Sequence, residues 1–125
     1  MAAGNYDITI EQGATFKITL TIKDELGVVI DLTGLTFRGK IKKSFADTDA
    51  QANFDFNVLD QTDPLTKGMV EVILPADQTE AIPAPAKGNM RTLTKMVYDI
   101  ESENIGGDVV RWLQGSALIS PEVTT

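Results

Sequence analysis

Polar and apolar residues alternate along most of this chain with a period of two. The clearest run is Ala14 to Lys23, where Phe16, Ile18, Leu20 and Ile22 fall on one side and Thr15, Lys17, Thr19, Thr21 and Lys23 on the other. Successive side chains of a strand point to opposite faces, so this run predicts a strand with one buried and one wet face. Tyr6 to Ile10 predicts a short strand before it, with Gly13 at the tight corner between them. Asp24-Glu25-Leu26-Gly27 reads as a turn, and Val28 to Asp31 as the returning partner of a hairpin.

The same grammar runs to the end of the chain. After the corner Leu32-Thr33-Gly34, Leu35, Phe37, Gly39 and Ile41 alternate with Thr36, Arg38, Lys40 and Lys42. A glycine on the apolar side predicts a close approach of another group. Ser44 to Ala52 is polar and predicts a loop. Asn53 to Leu59 predicts one strand with Phe54, Phe56 and Val58 inward, and Gly68 to Leu74 another, with a turn over Asp60 to Lys67. Pro75 to Ile82 predicts one or two helical turns started by Pro75 and stopped by Pro83. A loop over Pro83 to Asn89 leads to a strand over Arg91 to Glu101, with Met96, Tyr98 and Ile100 toward the core. A turn over Glu103 to Asp108 precedes a long strand from Val109 to Ile119, whose alternation slips around Gly115 and predicts a bulge there. The expectation is an all-β fold, an antiparallel Ig-like β-sandwich of seven to eight strands with one short helical turn, as a single domain over residues 1–125.

Composition narrows the function more than the fold. The 125 residues contain no histidine and no cysteine, which removes the usual proton-transfer side chain near neutral pH and the usual soft nucleophile. That shifts the expectation from catalysis to binding or structure. Apolar residues make up 42% of the chain, enough for a core. No run approaches the roughly 20 apolar residues of a membrane span. The first five residues have neither a basic nor an apolar region, so no signal peptide is expected and synthesis in a cytoplasm is. With 11 basic and 18 acidic residues the net charge is −7, which argues against nucleic acid as a partner.

Three groups of residues invite a chemical reading. Arg38, Lys40 and Lys42 share a strand face with Lys43 beside them; they read as a solvated face with lysines that discourage edge pairing, or as a patch for an acidic neighbour. Asp47, Asp49, Asp55, Asp60 and Asp63 form the densest acidic region, yet lack the glycine and glutamate spacing of a calcium loop, and read as solvated. Trp112, flanked by Val110 and Leu113, reads as a core or interface residue ahead of a sugar platform. No catalytic, cofactor-binding or metal-binding residue is assigned.

Several phrases then occur in a recognisable order. They are Tyr6 to Phe16 (YDITIEQGATF), Ile30 to Arg38 (IDLTGLTFR), Leu74 to Thr79 (LPADQT), Tyr98 to Glu101 (YDIE), Leu113 to Gly115 (LQG) and Ser120 to Thr124 (SPEVT). Together they resemble a family of small β-sandwich proteins and N-terminal domains in the tail, baseplate and fibre assemblies of tailed bacteriophages. The resemblance implies a non-enzymatic virion component, made in the host cytoplasm, whose partners are other virion proteins and copies of itself, with no nucleic acid and no membrane. Because the chain stops at Thr125 soon after the last strand, a tail, baseplate or fibre-attachment connector is expected ahead of a receptor-binding role. Partner contacts are expected over Ser44 to Leu65 and Ala84 to Asn89. The alternatives are a carbohydrate- or surface-binding sandwich module and a head-decoration protein.

Overall fold

A computed structural model describes residues 4–83 and 93–121. It shows nine strand segments and one helix among those residues. They are β1 (Gly4–Asn5), β2 (Ile8–Glu11), β3 (Phe16–Thr21), β4 (Thr36–Lys42), β5 (Ala52–Asn53), β6 (Asp55–Val58), β7 (Met69–Leu74), α1 (Ala76–Glu80), β8 (Thr94–Glu103) and β9 (Val109–Ser120). The count exceeds the expected seven to eight because β1 and β5 are only two residues long. One sheet runs β1-β9-β8-β4-β5, with β2 also on β9, and the other β3-β7-β6. Taking β3, β4, β6, β7, β8 and β9 as strands B, C, D, E, F and G, this is the Ig-like partition, BED against CFG.

The pairing is antiparallel except at the start of the chain. β1 and β2 run parallel to β9, with Gly4 across from Leu113 and Ile8 across from Ala117. The antiparallel expectation fails there because the first strand turns away from β3 at Gly13 and joins the opposite sheet. Gly115 makes this crossing fit. A Cβ at that position would fall on the Tyr6 carbonyl, so only glycine lets the Tyr6–Asp7 backbone pass. The Tyr98 hydroxyl donates to that same carbonyl, and Asp7 accepts from the Ser116 N–H at 3.0 Å.

Three other expectations are corrected. Asn53 to Leu59 is not one strand: the chain leaves the first sheet at Phe54 and enters the second as β6. Phe54 donates its N–H to Gly39 O at 3.0 Å while its ring enters the core beside the missing Cβ of Gly39. Val28 to Asp31 returns as the expected hairpin partner, Asp24 donating its N–H to Val28 O at 2.8 Å and Ile30 to Ile22 O at 3.0 Å, but through the single bridge Lys23 to Val29 and not as a strand. The irregularity in β9 lies at Trp112, not at Gly115: Ile100 faces Leu113 but Glu101 faces Arg111, leaving Trp112 as the extra residue. The bulge turns both Trp112 and Leu113 inward, and Trp112 donates its indole N–H to the buried Ser102 hydroxyl at 2.8 Å. Arg91 and the loop Ala84 to Asn89 lie outside the described residues.

The core lies between the sheets. Ile10, Ile41, Val72, Leu74, Met96, Tyr98, Ile100 and Ile119 are fully or almost fully buried, each at the alternate position its strand pattern predicts. Aromatic contacts cross the interlayer: Phe16 and Tyr98 flank Phe54 at 6.3 and 6.1 Å between ring centroids, and Phe37 meets Phe56 at 5.8 Å. Two of the ordered phrases meet at one end. The Gly13 N–H donates to the buried Thr79 hydroxyl oxygen at 3.0 Å, that hydroxyl donates to Ala14 O at 2.8 Å, and Gln12 donates to Ile82 O at 2.8 Å. Thus α1 is latched onto the corner that leads into β3.

Candidate docking surfaces

The first surface is the free edge of β3. In its sheet β3 pairs only with β7, so one edge has no strand beside it among the described residues. Ile22 donates its N–H to Gly68 O at 2.7 Å. Backbone direction alternates along a strand, so Leu20, Ile18 and Phe16 also turn their polar groups to β7. The N–H and C=O groups of Lys17, Thr19 and Thr21 therefore face outward. Next to this edge is a cleft of about 450 Å³ lined by Tyr6, Ile18, Thr19, Leu20 and Leu113. It opens where the first strand, drawn away to β9, leaves the flank of β3 uncovered. Lys17 on this strand is held by Glu71 at 2.9 Å, and hydrogen bonds from Asn57 and Lys17 keep the Glu71 carboxyl below its ordinary pKa.

The second surface is the end of the sandwich where the segments between β3 and β4, β6 and β7, and β8 and β9 gather. Gln61 ties two of them together, its side-chain oxygen accepting from Leu32 N–H and Gly68 N–H, both at 2.9 Å. A Cβ on Gly34 would touch the Ile105 side chain at 3.4 Å, so the third segment is adjacent. Leu26, Leu65 and Ile105 stand out from this end with 88%, 80% and 93% of their surface exposed. Each tip is held by its own turn. Asp24 accepts from Leu26 N–H and Val28 N–H, Asp63 from Leu65 N–H, and the Asn104 side-chain oxygen from Asp108 N–H. Asp31 and Asp60 repeat one device, each accepting from the N–H and hydroxyl of the threonine two residues on. Those hydrogen bonds hold both carboxyls below their ordinary pKa.

The third surface is the outer face of the larger sheet around β4. The expected row Arg38, Lys40 and Lys42 is there, but its members differ. Arg38 pairs with Glu101 and lies 3.8 Å from Glu103. Lys40 and Lys42 enter no ion pair among the described residues; Asp99, across from Lys40, is 3.4 Å from Arg111. The edge-guarding explanation does not suit Lys40, because β4 is flanked by β8 and β5 there. Beside the lysines lies a cleft of about 450 Å³ whose lining includes Phe45 and Val97, and Phe45 is 73% exposed.

The expected contact segment Ser44 to Leu65 is thus two surfaces. Its first part joins β4 to β5 at the α1 end, its last part belongs to the three-loop end, and β5 and β6 lie between. The acidic group is divided as well: Asp60 and Asp63 hold turns, and no group of three or more ligating side chains able to hold a metal ion occurs among the described residues. Trp112 is the inward residue the pattern implied. The apolar tips were missed by sequence reasoning, although an aspartate two residues before a leucine marks both Leu26 and Leu65. No helix among the described residues is long and apolar enough to cross a membrane. No family model and no curated protein matches the chain.

Proposed function

We propose that this chain is a non-enzymatic structural protein of a tailed-bacteriophage virion, a tail, baseplate or fibre-attachment connector that works through protein–protein contacts. The phage assignment draws on the ordered phrases, two of which meet in the Gly13–Thr79 latch. The contact role draws chiefly on one observation, the β3 edge that no strand among the described residues covers, beside the apolar cleft of Tyr6, Ile18, Leu20 and Leu113. An extended segment of a neighbouring protein adds there as a strand, its backbone meeting Lys17, Thr19 and Thr21 and its alternate apolar side chains filling the cleft. A sugar platform has less support. Its stacking surface would need adjacent exposed rings, whereas Tyr6 and Phe45 line different clefts and the other aromatic side chains are buried or half-buried.

Cryo-electron microscopy of purified particles tests the reading. Density for this sandwich at the tail, baseplate or a fibre root, with a foreign strand on β3, is the expected result. Particles without the chain overturn it, and glycan arrays then test the sugar-binding module. Thr19→Pro sharpens the test, since it removes an N–H that points away from β7 to the open edge. The variant is expected to fold and to be lost from particles.

A further inference from the structure

The acidic three-loop end and the lysine face of β4 are complementary in charge, and they occupy different parts of the molecule. We propose that the loop end of one copy docks on the β4 face of the next, so that the chain self-associates head to tail.

The loop end offers apolar knobs within a negative rim. Leu26, Leu65 and Ile105 bury little within the monomer, and their turns hold them in place before any partner arrives. Pre-ordered tips lose little conformational entropy on docking. The carboxylates of Asp24, Glu25, Asp31, Asp60, Asp63 and Asp108 lie in the same three segments, against only Lys23 and Lys67. The threonine hydrogen bonds fix the Asp31 and Asp60 carboxylates at the surface of this end.

The β4 face offers the converse. In a chain of net charge −7, four cations fall within Arg38 to Lys43. Glu101 and Glu103 neutralise Arg38, while Lys40 and Lys42 have no carboxylate within ion-pair distance among the described residues. Between them and exposed Phe45 is a cleft with room for an aliphatic side chain. A partner carrying apolar tips and carboxylates outside ion pairs suits this face, and among the described residues the loop end of a second copy carries both. The two surfaces are not the same patch, so the contact is heterologous and propagates into a ring or an open filament.

Sedimentation velocity on the whole chain from micromolar to millimolar concentration is the test. Wild type is expected to grow in mass with concentration. The pair Lys40→Glu with Lys42→Glu, and the pair Leu65→Ser with Ile105→Ser, are each expected to weaken association by about tenfold or more, the scale of interface hot spots. All are surface changes, and thermal melts confirm that each variant is folded. Mixing the two doubly substituted proteins is decisive. One retains the knob and the other the face, so together they form a one-to-one dimer and nothing larger. A wild type that stays monomeric throughout overturns self-association while leaving the connector reading in place. Variants that assemble like wild type, or a mixture that stays monomeric while wild type associates, overturn it as well.

Discussion

At the α1 end Ile82 is wholly buried, and the Thr79 hydroxyl bonds the Gly13–Ala14 corner while also lying 3.0 Å from Ala76 O within α1. At the opposite end Leu26, Leu65 and Ile105 stand in solvent although their turns are equally well hydrogen-bonded. Both ends therefore have ordered backbones, and they differ in where the apolar side chains go. One end contributes to the stability of the monomer. The other leaves apolar surface in water, worth about 25 cal/mol for each Å² that a partner removes. The contrast is between apolar groups withdrawn from water and apolar groups left in it on an equally ordered backbone.

The largest effect expected from breaking this contrast is at Ile82. Ile82→Ala leaves a cavity under the latched end and is expected to cost about 2–5 kcal/mol, read from denaturant unfolding. Next comes Thr79→Val, which keeps the side-chain shape and orphans the Gly13 N–H and the Ala14 carbonyl. Its expected cost is about 1–3 kcal/mol, and Thr79→Ser should recover most of it. If Thr79→Val melts like wild type, the α1 end is not latched by this hydroxyl and the contrast with the loop end falls.

A smaller effect is expected where the parallel first strand meets β8 and β9. Burial, with the nearby Asp7 charge second, raises the Tyr98 phenol above its ordinary value of 10.0. A group whose folded pKa is raised contributes stability below the unfolded value and loses it as pH rises toward the folded one. Stability is therefore expected to fall between about pH 9 and pH 12 in wild type. In Tyr98→Phe that alkaline loss should be reduced, at a cost of about 1 kcal/mol at neutral pH for the lost bond to Tyr6 O. Equal alkaline slopes in the two proteins would remove Tyr98 from the account.

Much of the fold was legible because one face of each strand is buried and the period of two reports it. Phe16, Ile18 and Leu20 face the core and Lys17 and Thr19 face water, as their alternation requires. Pairing partners were less legible. Nothing local in Tyr6 to Ile10 says that it leaves β3 for β9, because that choice is made by the distant Gly115 and Tyr98. The switch at Phe54 was hidden for a similar reason: an inward residue keeps the same alternation whether or not its neighbours change sheets. The bulge was detectable as a slip in phase, but not its place, since Trp112 and Leu113 are both apolar and either can be the extra residue. The candidate surfaces were the least legible. A leucine in a turn looks the same in sequence whether it folds back or projects; the structure shows both projecting, with Asp24 and Asp63 accepting from the Leu26 and Leu65 N–H groups.

The smallest effect on stability is expected at the tips themselves, and it carries the comparison furthest. Leu65 has four-fifths of its surface in water, so Leu65→Ser removes almost no buried area from the monomer. The turn that holds it depends on the Asp63 carboxylate and the residue-65 backbone N–H, which serine keeps. The unfolding free energy should therefore change by no more than about 0.5 kcal/mol, the range of an ordinary surface substitution. Asp63→Ala makes the reciprocal change: it keeps the leucine and removes the carboxylate that its N–H bonds. If the apolar tip is the contact, Leu65→Ser weakens association at unchanged stability, and Asp63→Ala weakens it less, through lost pre-ordering. A loss of more than about 1 kcal/mol in Leu65→Ser would mean that Leu65 is folded inward in solution, and the two ends would then not differ.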